Sequence, residues 1–394
     1  MARILDETDH LLRLYQHHAG QSEVPTVFHV WCCLALTAAC LGDRVWYHKF
    51  RGSKLYPNLY VMLLGPSGCG KGEAINAMLN VMPRATLAYQ GRATKAHLVD
   101  HLAKLSKNGG PGAKVFLITP ELLQAVGEGP VAHELVTTLT DWYHGKIEYR
   151  DGTRTHGEKI LRLLLPNWIA GTTREWLMKT VSVDEVKGGF FGRIVAIEGM
   201  YAIERFRRPL YPDDYDEIVA YLRARFRALT AIEGEFVMTA EAEEVEGVWY
   251  AERPMPEDVD LIPTWRREHD LLLKLSMLLA VLERSELTIE ARHVQQAMAL
   301  CGVSRAALPN LIRSASTTRD SQPSEVARAL IRRLKVVDRT TLMQRLSGKG
   351  LNKEKLDRSL STLITAGEIT AQQVGRKWVY EWIGPTIEEE AQHG

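Results

Sequence analysis

The sequence predicts an α/β core on a mainly parallel sheet, helical regions on either side of it, and a small C-terminal module of three helices with a β-wing. Three observations carry that expectation. Strand-like runs at 59–64, 114–118, 161–169 and 193–197 alternate with helix-like segments, the pattern of a parallel sheet covered by helices. The first run breaks into a glycine-rich loop that opens a helix-like segment from Glu73. Within 323–383 the pattern changes to short helices ending in two alternating strands.

Taken in order, residues 1–52 read as helical. Leu11, Leu12, Leu14 and Tyr15 fall on one side of a helix over 9–18, a second helix starts after Pro25, and 43–49 is a short strand. The apolar run 27–41 is too short to span a bilayer and contains His29, so it predicts a buried helix and no membrane segment. The core covers 53–232 and closes with a helix over 213–230. A helical region follows at 233–313, most apolar at 271–282. The polar stretch 314–322 predicts a linker, 323–384 is the C-terminal module, and 385–394 is an acidic tail.

The chain has 394 residues, 45% hydrophobic and 25% charged, as ordinary globular proteins do, and its net charge of +1 excludes any overall attraction to nucleic acid. Cys32, Cys33, Cys40, Cys69 and Cys301 make no C-x-x-C pair and no metal-ligand spacing, and no secretory signal opens the chain. These features predict a reducing, cytoplasmic setting and no structural metal.

The loop Gly65-Pro66-Ser67-Gly68-Cys69-Gly70-Lys71-Gly72 holds most of the chemistry. Gly65, Gly70 and Lys71 occupy the defining positions of G-x-x-x-x-G-K, after a strand and before a helix. In such a P-loop the backbone N–H groups cradle phosphate oxygens, the helix N-terminus adds its dipole, and the lysine reaches the β- and γ-phosphates. ATP with Mg²⁺ is the expected ligand. The residue after the lysine is usually Ser or Thr, whose hydroxyl ligates the metal. Gly72 offers no oxygen, so nucleotide binding is a firmer expectation than rapid hydrolysis.

The run 115–119 ends in Pro120-Glu121. A carboxylate there can orient an attacking water and take its proton, although an acid also suits the first turn of a helix beginning at Leu122. Pro120 stands where an Asp that supports the metal is usual. Further on, Lys187-Gly-Gly-Phe-Phe-Gly-Arg193 leads straight into the last strand. Arg193 there suits an arginine finger given to the γ-phosphate across a subunit boundary, and a surface salt bridge is the ordinary alternative.

The ordered set Tyr56-Pro-Asn-Leu-Tyr60, the glycine-rich loop, Thr119-Pro-Glu-Leu122, Pro166-Asn-Trp-Ile-Ala-Gly-Thr-Thr173 and Gly188-Gly-Phe-Phe-Gly-Arg193 resembles one family of P-loop ATPases. These come from phages and mobile elements, carry a domain of unknown function, and are often fused to primase–polymerase modules. Arg267-Glu-His-Asp-Leu-Leu-Leu-Lys-Leu275 resembles that family's helical lid. The family is similar to AAA+ ATPases and to the superfamily 3 replicative helicases, which work as hexameric rings. The resemblance implies an AAA+-like core with ATP at Gly65–Gly72, a base at Glu121, a sensor at Asn167 or Thr172 and Thr173, and a finger at Arg193. Arg267 and Lys274 become lid candidates for the nucleotide, Lys274 being equally suited to snorkel from an apolar helix.

Asp151-Gly152 predicts the turn of a hairpin, with Lys146, Arg150 and Arg154 crowded around it and Tyr143 and Tyr149 nearby. It resembles the DNA-gripping loop of superfamily 3 helicases, and a solvated surface hairpin fits the same residues.

Within 323–383 twelve Lys and Arg stand against six Asp and Glu, a local excess of six positive charges and the footprint expected for nucleic acid. Helices over 325–334, 340–346 and 352–366, the last capped by Asn352, and strands over 368–374 and 377–383 turned at Gly375-Arg376 make a winged helix. Lys353, Lys355, Arg358 and Ser359 should face outward on the third helix and Arg376 and Lys377 on the wing, toward DNA. Protein docking is the other use of such modules.

The whole reading is an ATP-driven DNA translocase or replicative helicase of a phage, plasmid or integrated element, a homo-oligomeric ring working with a primase or polymerase. The alternative is a non-motor initiator or loader that uses ATP binding as an assembly switch, and Gly72 favours it.

Overall fold

Tyr60-Val-Met-Leu-Leu64 is buried at every residue, which requires cover on both faces and a neighbour on both edges. The computed structural model supplies both. It describes residues 10–84, 86, 88–91, 94–105, 114–122, 130–153, 157–180, 189–202, 204–347, 353–375 and 377–384. The chain forms two compact units, Met1–Ile312 and Arg313–Gly394.

In the first unit the strands up to the end of the central sheet are β1 (Val45–Phe50), β2 (Ser53–Leu55), β3 (Tyr60–Leu64), β4 (Ala88–Gln90), β5 (Lys114–Thr119), β6 (Lys146–Thr153), β7 (Gly157–Thr172) and β8 (Ile194–Glu198), and three two-residue strands follow at Gly234–Glu235, Val237–Met238 and Thr288–Ile289. The central sheet runs in the order β4-β5-β7-β3-β8 with every neighbouring pair parallel. β3 pairs with β7 from Tyr60↔Trp168 to Leu64↔Thr172, and with β8 from Tyr60↔Ile194 to Leu64↔Glu198. The fold is therefore α/β, with helices on both faces of a parallel sheet.

Alternation along β3 feeds two cores, as the period of a strand requires. Val61 and Leu63 join Leu12, Phe28, Trp31, Leu222 and Leu278, from helices His10–Ala19, Thr26–Leu41, Tyr215–Leu229 and Ile262–Arg284. Tyr60, Met62 and Leu64 join Leu98, Leu135, Phe190 and Phe191 on the other face. The N-terminal helices and the helical stretch after the sheet thus share one core with it. Helix Thr26–Leu41 is buried along nearly all its length, and all five cysteines are free and buried.

Three local expectations change. Asp151-Gly152 is not a turn: both residues lie in β6, opposite Lys159 and Glu158 of β7, because the strands stay paired as far as Thr153↔Gly157. The connection at 154–156, with Arg154, lies outside the described residues. Strand β4, only three residues long, carries too little pattern to announce itself. Residues 314–322 are not an extended linker but part of the helix Ala291–Leu334. They contain no Gly or Pro, so their polar composition alone does not interrupt a helix.

The second unit contains the end of that helix, helices Arg339–Ser347 and Lys353–Thr365, and a three-stranded sheet. In it Lys377–Trp382 pairs antiparallel with both Val336–Asp338 and Ile369–Val374. Leu342, Leu346, Leu356, Leu360, Leu363, Ile369 and Tyr380 make its core. Ser359 is buried rather than outward-facing, since it lies one residue from Leu360 on the packed side. Asn352 and Arg376 lie outside the described residues, as does the side chain of Lys355.

Candidate functional site

The glycine-rich loop leaves the carboxyl end of β3, between the ends of β7 and β8. Gly65 N donates to Thr172 O at 3.3 Å, and Gly199 N, past the end of β8, donates to Leu64 O at 2.9 Å. Gly68 and Gly70 adopt left-handed φ of 78° and 85°, which a side chain would strain, and Gly70 opens helix Lys71–Val81 with no side-chain cap. Lys71 is buried, and its Nζ donates to Gly65 O at 2.8 Å and Pro66 O at 2.7 Å, with Cys69 Sγ at 3.6 Å. The cation is thus held inside the loop by the loop's own carbonyls.

Glu121 reaches the same region. A Cβ at Gly171 would stand 2.4 Å from Pro120 O and 3.4 Å from Lys71 Cβ, so the bare glycine lets the end of β5 close on the lysine. Glu121 is exposed. Thr172 is buried beside the loop, and Thr173 Oγ1 accepts from Trp176 N at the start of helix Arg174–Thr180.

Oxygen donors for Mg²⁺ are missing where they would be needed. Gly72 has none, Pro120 has none, and the Thr119 hydroxyl already donates to Ile169 O at 3.3 Å and accepts from Trp168 Nε1 at 2.9 Å. No group of three His, Cys, Asp or Glu among the described residues could hold a metal. These residues do not fit a protein-ligated Mg²⁺; a metal there would come with the nucleotide and water.

Two expected nucleotide contacts fall elsewhere. Asn167 lies five residues before the end of β7, about 16 Å of strand from the loop. Its Oδ1 accepts from Leu59 N at 3.0 Å and so fixes the start of β3. Lys274 is fully buried at that same end, donating to Asn58 O at 2.9 Å and Asn58 Oδ1 at 2.8 Å, with the Tyr143 ring 4.1 Å away. Asn58 also donates to Tyr143 O and Pro166 O, which makes it the polar hub of this end. Burial lowers the Lys274 pKa from 10.5 to about 7.

Arg193 precedes β8 at the same end, its Nη1 donating to Gly189 O at 2.9 Å. Arg267 is its neighbour rather than a neighbour of Lys71: a Cβ at Gly189 would stand 3.0 Å from Nη1 of each arginine. Phe190 and Phe191 anchor the intervening turn in the core. Beside Arg267 an apolar cavity of about 320 Å³ is lined by Trp265, Leu271, Cys301 and Leu308.

The basic hairpin is largely neutralised. Lys146 pairs with Asp141 at 2.6 Å, and Arg150 with Glu148 at 2.8 Å and Glu158 at 3.3 Å. In the second unit Arg328 bonds Glu368 and Arg339 bonds Asp357, each through two guanidinium nitrogens, so part of the basic excess is internal. Lys353 and Lys377 are exposed, and exposed Arg358 pairs with Glu354 at 2.9 Å within its own helix.

Sequence reading missed the rim of the loop. Tyr201 Oη donates to Ser67 O at 2.7 Å while its ring stays exposed, and Arg174 Nη2 donates to Glu198 Oε1 across the ends of β7 and β8. No motif marks these residues; only the register of the strands brings them together.

Compared with known proteins, the chain matches no protein-family model and no curated protein.

Two outcomes test these assignments. Asn167→Ala should lower the unfolding free energy by about 1–3 kcal/mol, because it leaves the buried Leu59 N–H unpaired, and should leave nucleotide affinity unchanged. A tenfold loss of affinity with unchanged denaturant midpoint would return Asn167 to the nucleotide site. For Lys274, the folded chain releases a proton near pH 7 that the unfolded chain keeps to 10.5. Stability should therefore rise with pH between these values, by about 1 kcal/mol per unit. Urea titrations at pH 7, 8 and 9 should show that slope in the parent and its loss in Lys274→Met; equal slopes would contradict the assignment.

Proposed function

We propose that this chain is a P-loop ATPase with an AAA+-like core, which binds ATP at Gly65–Gly72 and uses it, as a homo-oligomer with nucleotide at subunit boundaries, to move or unwind DNA. The observation that carries the reading is the seat of Lys71, a buried cation held by Gly65 O and Pro66 O inside a loop with two left-handed glycines. A triphosphate entering that loop would exchange for those carbonyls and meet the unpaired N–H groups of the first helical turn.

The strand order supports an AAA+-like arrangement. The strand bearing the loop and the strand before Glu121 are separated by one strand, whose end presents Thr172 and Thr173. In hydrolysis a water would add to the γ-phosphorus as the bond to the β,γ-bridging oxygen breaks. Glu121 would take the water's proton, and Lys71 would hold the phosphate oxygens. Arg193 precedes β8, about 16 Å of strand away from the loop, so it would serve a neighbour's nucleotide rather than its own.

For DNA the C-terminal unit is the stronger candidate, as a winged helix with Lys353 and Lys377 exposed and Arg358 free to exchange Glu354 for a phosphate. The ion-paired hairpin contributes less. A second reading, an initiator or loader that uses ATP binding as an assembly switch, is favoured by the absence of a side-chain oxygen at Gly72 and Pro120 and by the hydrogen bonds that already engage the Thr119 hydroxyl.

The motor reading expects ATP turnover that rises with DNA and is accompanied by strand displacement, and Lys71→Ala should weaken ATP binding about ten- to a hundred-fold. Unchanged affinity in that variant would overturn the nucleotide site; DNA-independent binding without displacement would favour the switch. Gly72→Ser should raise turnover or lower the Mg²⁺ requirement, because a Cβ at Gly72 meets nothing within 4 Å and the hydroxyl adds a ligand. Superimposable Mg²⁺ titrations of variant and parent would show that water already completes the metal's shell.

A further inference from the structure

Arg193 and Arg267 form an arrangement that is hard to justify within one chain. Their Nη1 atoms both lie 3.0 Å from one point, the Cβ position of Gly189, and so within about 6 Å of each other. A Cβ at Gly192 would stand 2.7 Å from Arg267 Nη1, so glycines on both sides of the Phe190-Phe191 anchor keep room for the two guanidinium groups. Among the described residues their hydrogen-bond partners are only backbone carbonyls, Gly189 O for Arg193 and Pro263 O for Arg267, and Arg193 Nε is buried with no partner there.

Among the described residues the surroundings do not cancel the charge. Asp270 is bonded to Lys49 at 2.6 Å and Asp141 to Lys146 at 2.6 Å. Tyr60, Tyr143, His144 and Lys274 also stand nearby, and burial together with Lys274 and Arg193 holds His144 neutral, at a pKa of about 4. Burial and Arg267 both push the Arg193 pKa down, the signature of a cation short of an anion. Two like charges held this close in a half-buried place repel unless an anion bridges them.

No described carboxylate supplies that anion, and phosphates in the chain's own loop would lie at the other end of β3. We infer that Arg193 and Arg267 form one two-guanidinium clamp for the terminal phosphate of a nucleotide held in the Gly65–Lys71 loop of a second copy of this chain. The inference rests on the nucleotide reading above and adds Arg267 as an equal partner of Arg193. Arg267 is thereby removed from its own chain's nucleotide. Guanidinium forks suit this task, since each can give two parallel N–H bonds to phosphate oxygens.

The test compares Arg193→Ala, Arg267→Ala and Arg267→Lys as full chains, reading ATP affinity, ATP turnover and ATP-dependent change in oligomer mass. Arg267→Ala should keep ATP affinity within about threefold while turnover falls roughly a hundred-fold or more. Arg267→Lys, which keeps the charge, should fold normally and recover little turnover. The double variant should be no worse than about either single one, as groups acting as a unit behave. Mixing Arg267→Ala with Lys71→Ala protein should restore turnover above the sum of the two, because hybrid boundaries pair an intact loop with an intact clamp.

Parental turnover in both Arg267 variants, with Arg193→Ala inactive, would overturn the clamp and leave the nucleotide reading standing. Loss of ATP affinity in Arg267→Ala without rescue by mixing would overturn it in favour of a contact within one chain. A parent with neither turnover nor ATP-dependent change of mass would overturn it as well. Unchanged ATP affinity in Lys71→Ala would instead remove the underlying reading.

Discussion

Everything of functional interest in the first unit depends on β3 being hydrogen-bonded on both edges by parallel neighbours. Leu64 lies level with Thr172 on one side and Glu198 on the other, so three strands end together and the chain must leave at that level. In an open parallel sheet the crevice beyond the carboxyl ends of the strands is where ligands are taken. Here the crevice receives the glycine-rich loop, Pro120-Glu121 and Thr172-Thr173. The same pairing puts Tyr60 level with Trp168 and Ile194, and so gathers Asn58, Asn167, Lys274 and Arg193 at the opposite end. One register therefore separates a site centred on a buried lysine from one centred on two arginines.

The two ends differ in how their cations are satisfied. Lys71 sits among carbonyls of its own loop at 2.8 and 2.7 Å, so an incoming phosphate would exchange one set of hydrogen bonds for a charge-assisted set. Lys274 is built in permanently by Asn58 and loses its charge near neutrality. The arginines have neither solution, since guanidinium groups keep their charge and no carboxylate among the described residues bonds them. That asymmetry is what the proposed assembly, with sites completed across a boundary, would resolve.

Much of this was legible in the amino-acid order. The strand–loop–helix pattern located β3, the loop and helix Lys71–Val81, because burial on both faces demands an unbroken apolar run and G-x-x-x-x-G-K demands its glycines. The helices of the second unit and two of its three strands were equally readable from periodicity, while the three-residue strand Val336–Asp338 was too short to show. Side-chain direction and pairing were not. Asn167 and Lys274 sat in motifs suited to a nucleotide site, yet the pairing of β3 with β7 placed them at the far end of the sheet. Arg150 looked like a free charge until β6 and β7 brought Glu148 and Glu158 beside it, and Lys146 until the end of helix Pro130–Trp142 brought Asp141. The polar run 314–322 looked like a linker because it is polar and leads into Pro323, yet the run itself holds no breaker and the helix continues past that proline. Tyr201, Arg174 and Glu198 had no local signal at all, since their proximity is created by strand ends far apart in sequence.

The central claim is that Lys71 leaves the loop carbonyls to hold a triphosphate. A crystal structure of the chain with a non-hydrolysable ATP analogue and Mg²⁺ tests it most directly. The account predicts the phosphates inside Gly65–Gly72, with Lys71 Nζ moved from Gly65 O and Pro66 O onto β- and γ-phosphate oxygens. An analogue bound elsewhere on the chain, with Lys71 still bonded to those two carbonyls, would contradict it.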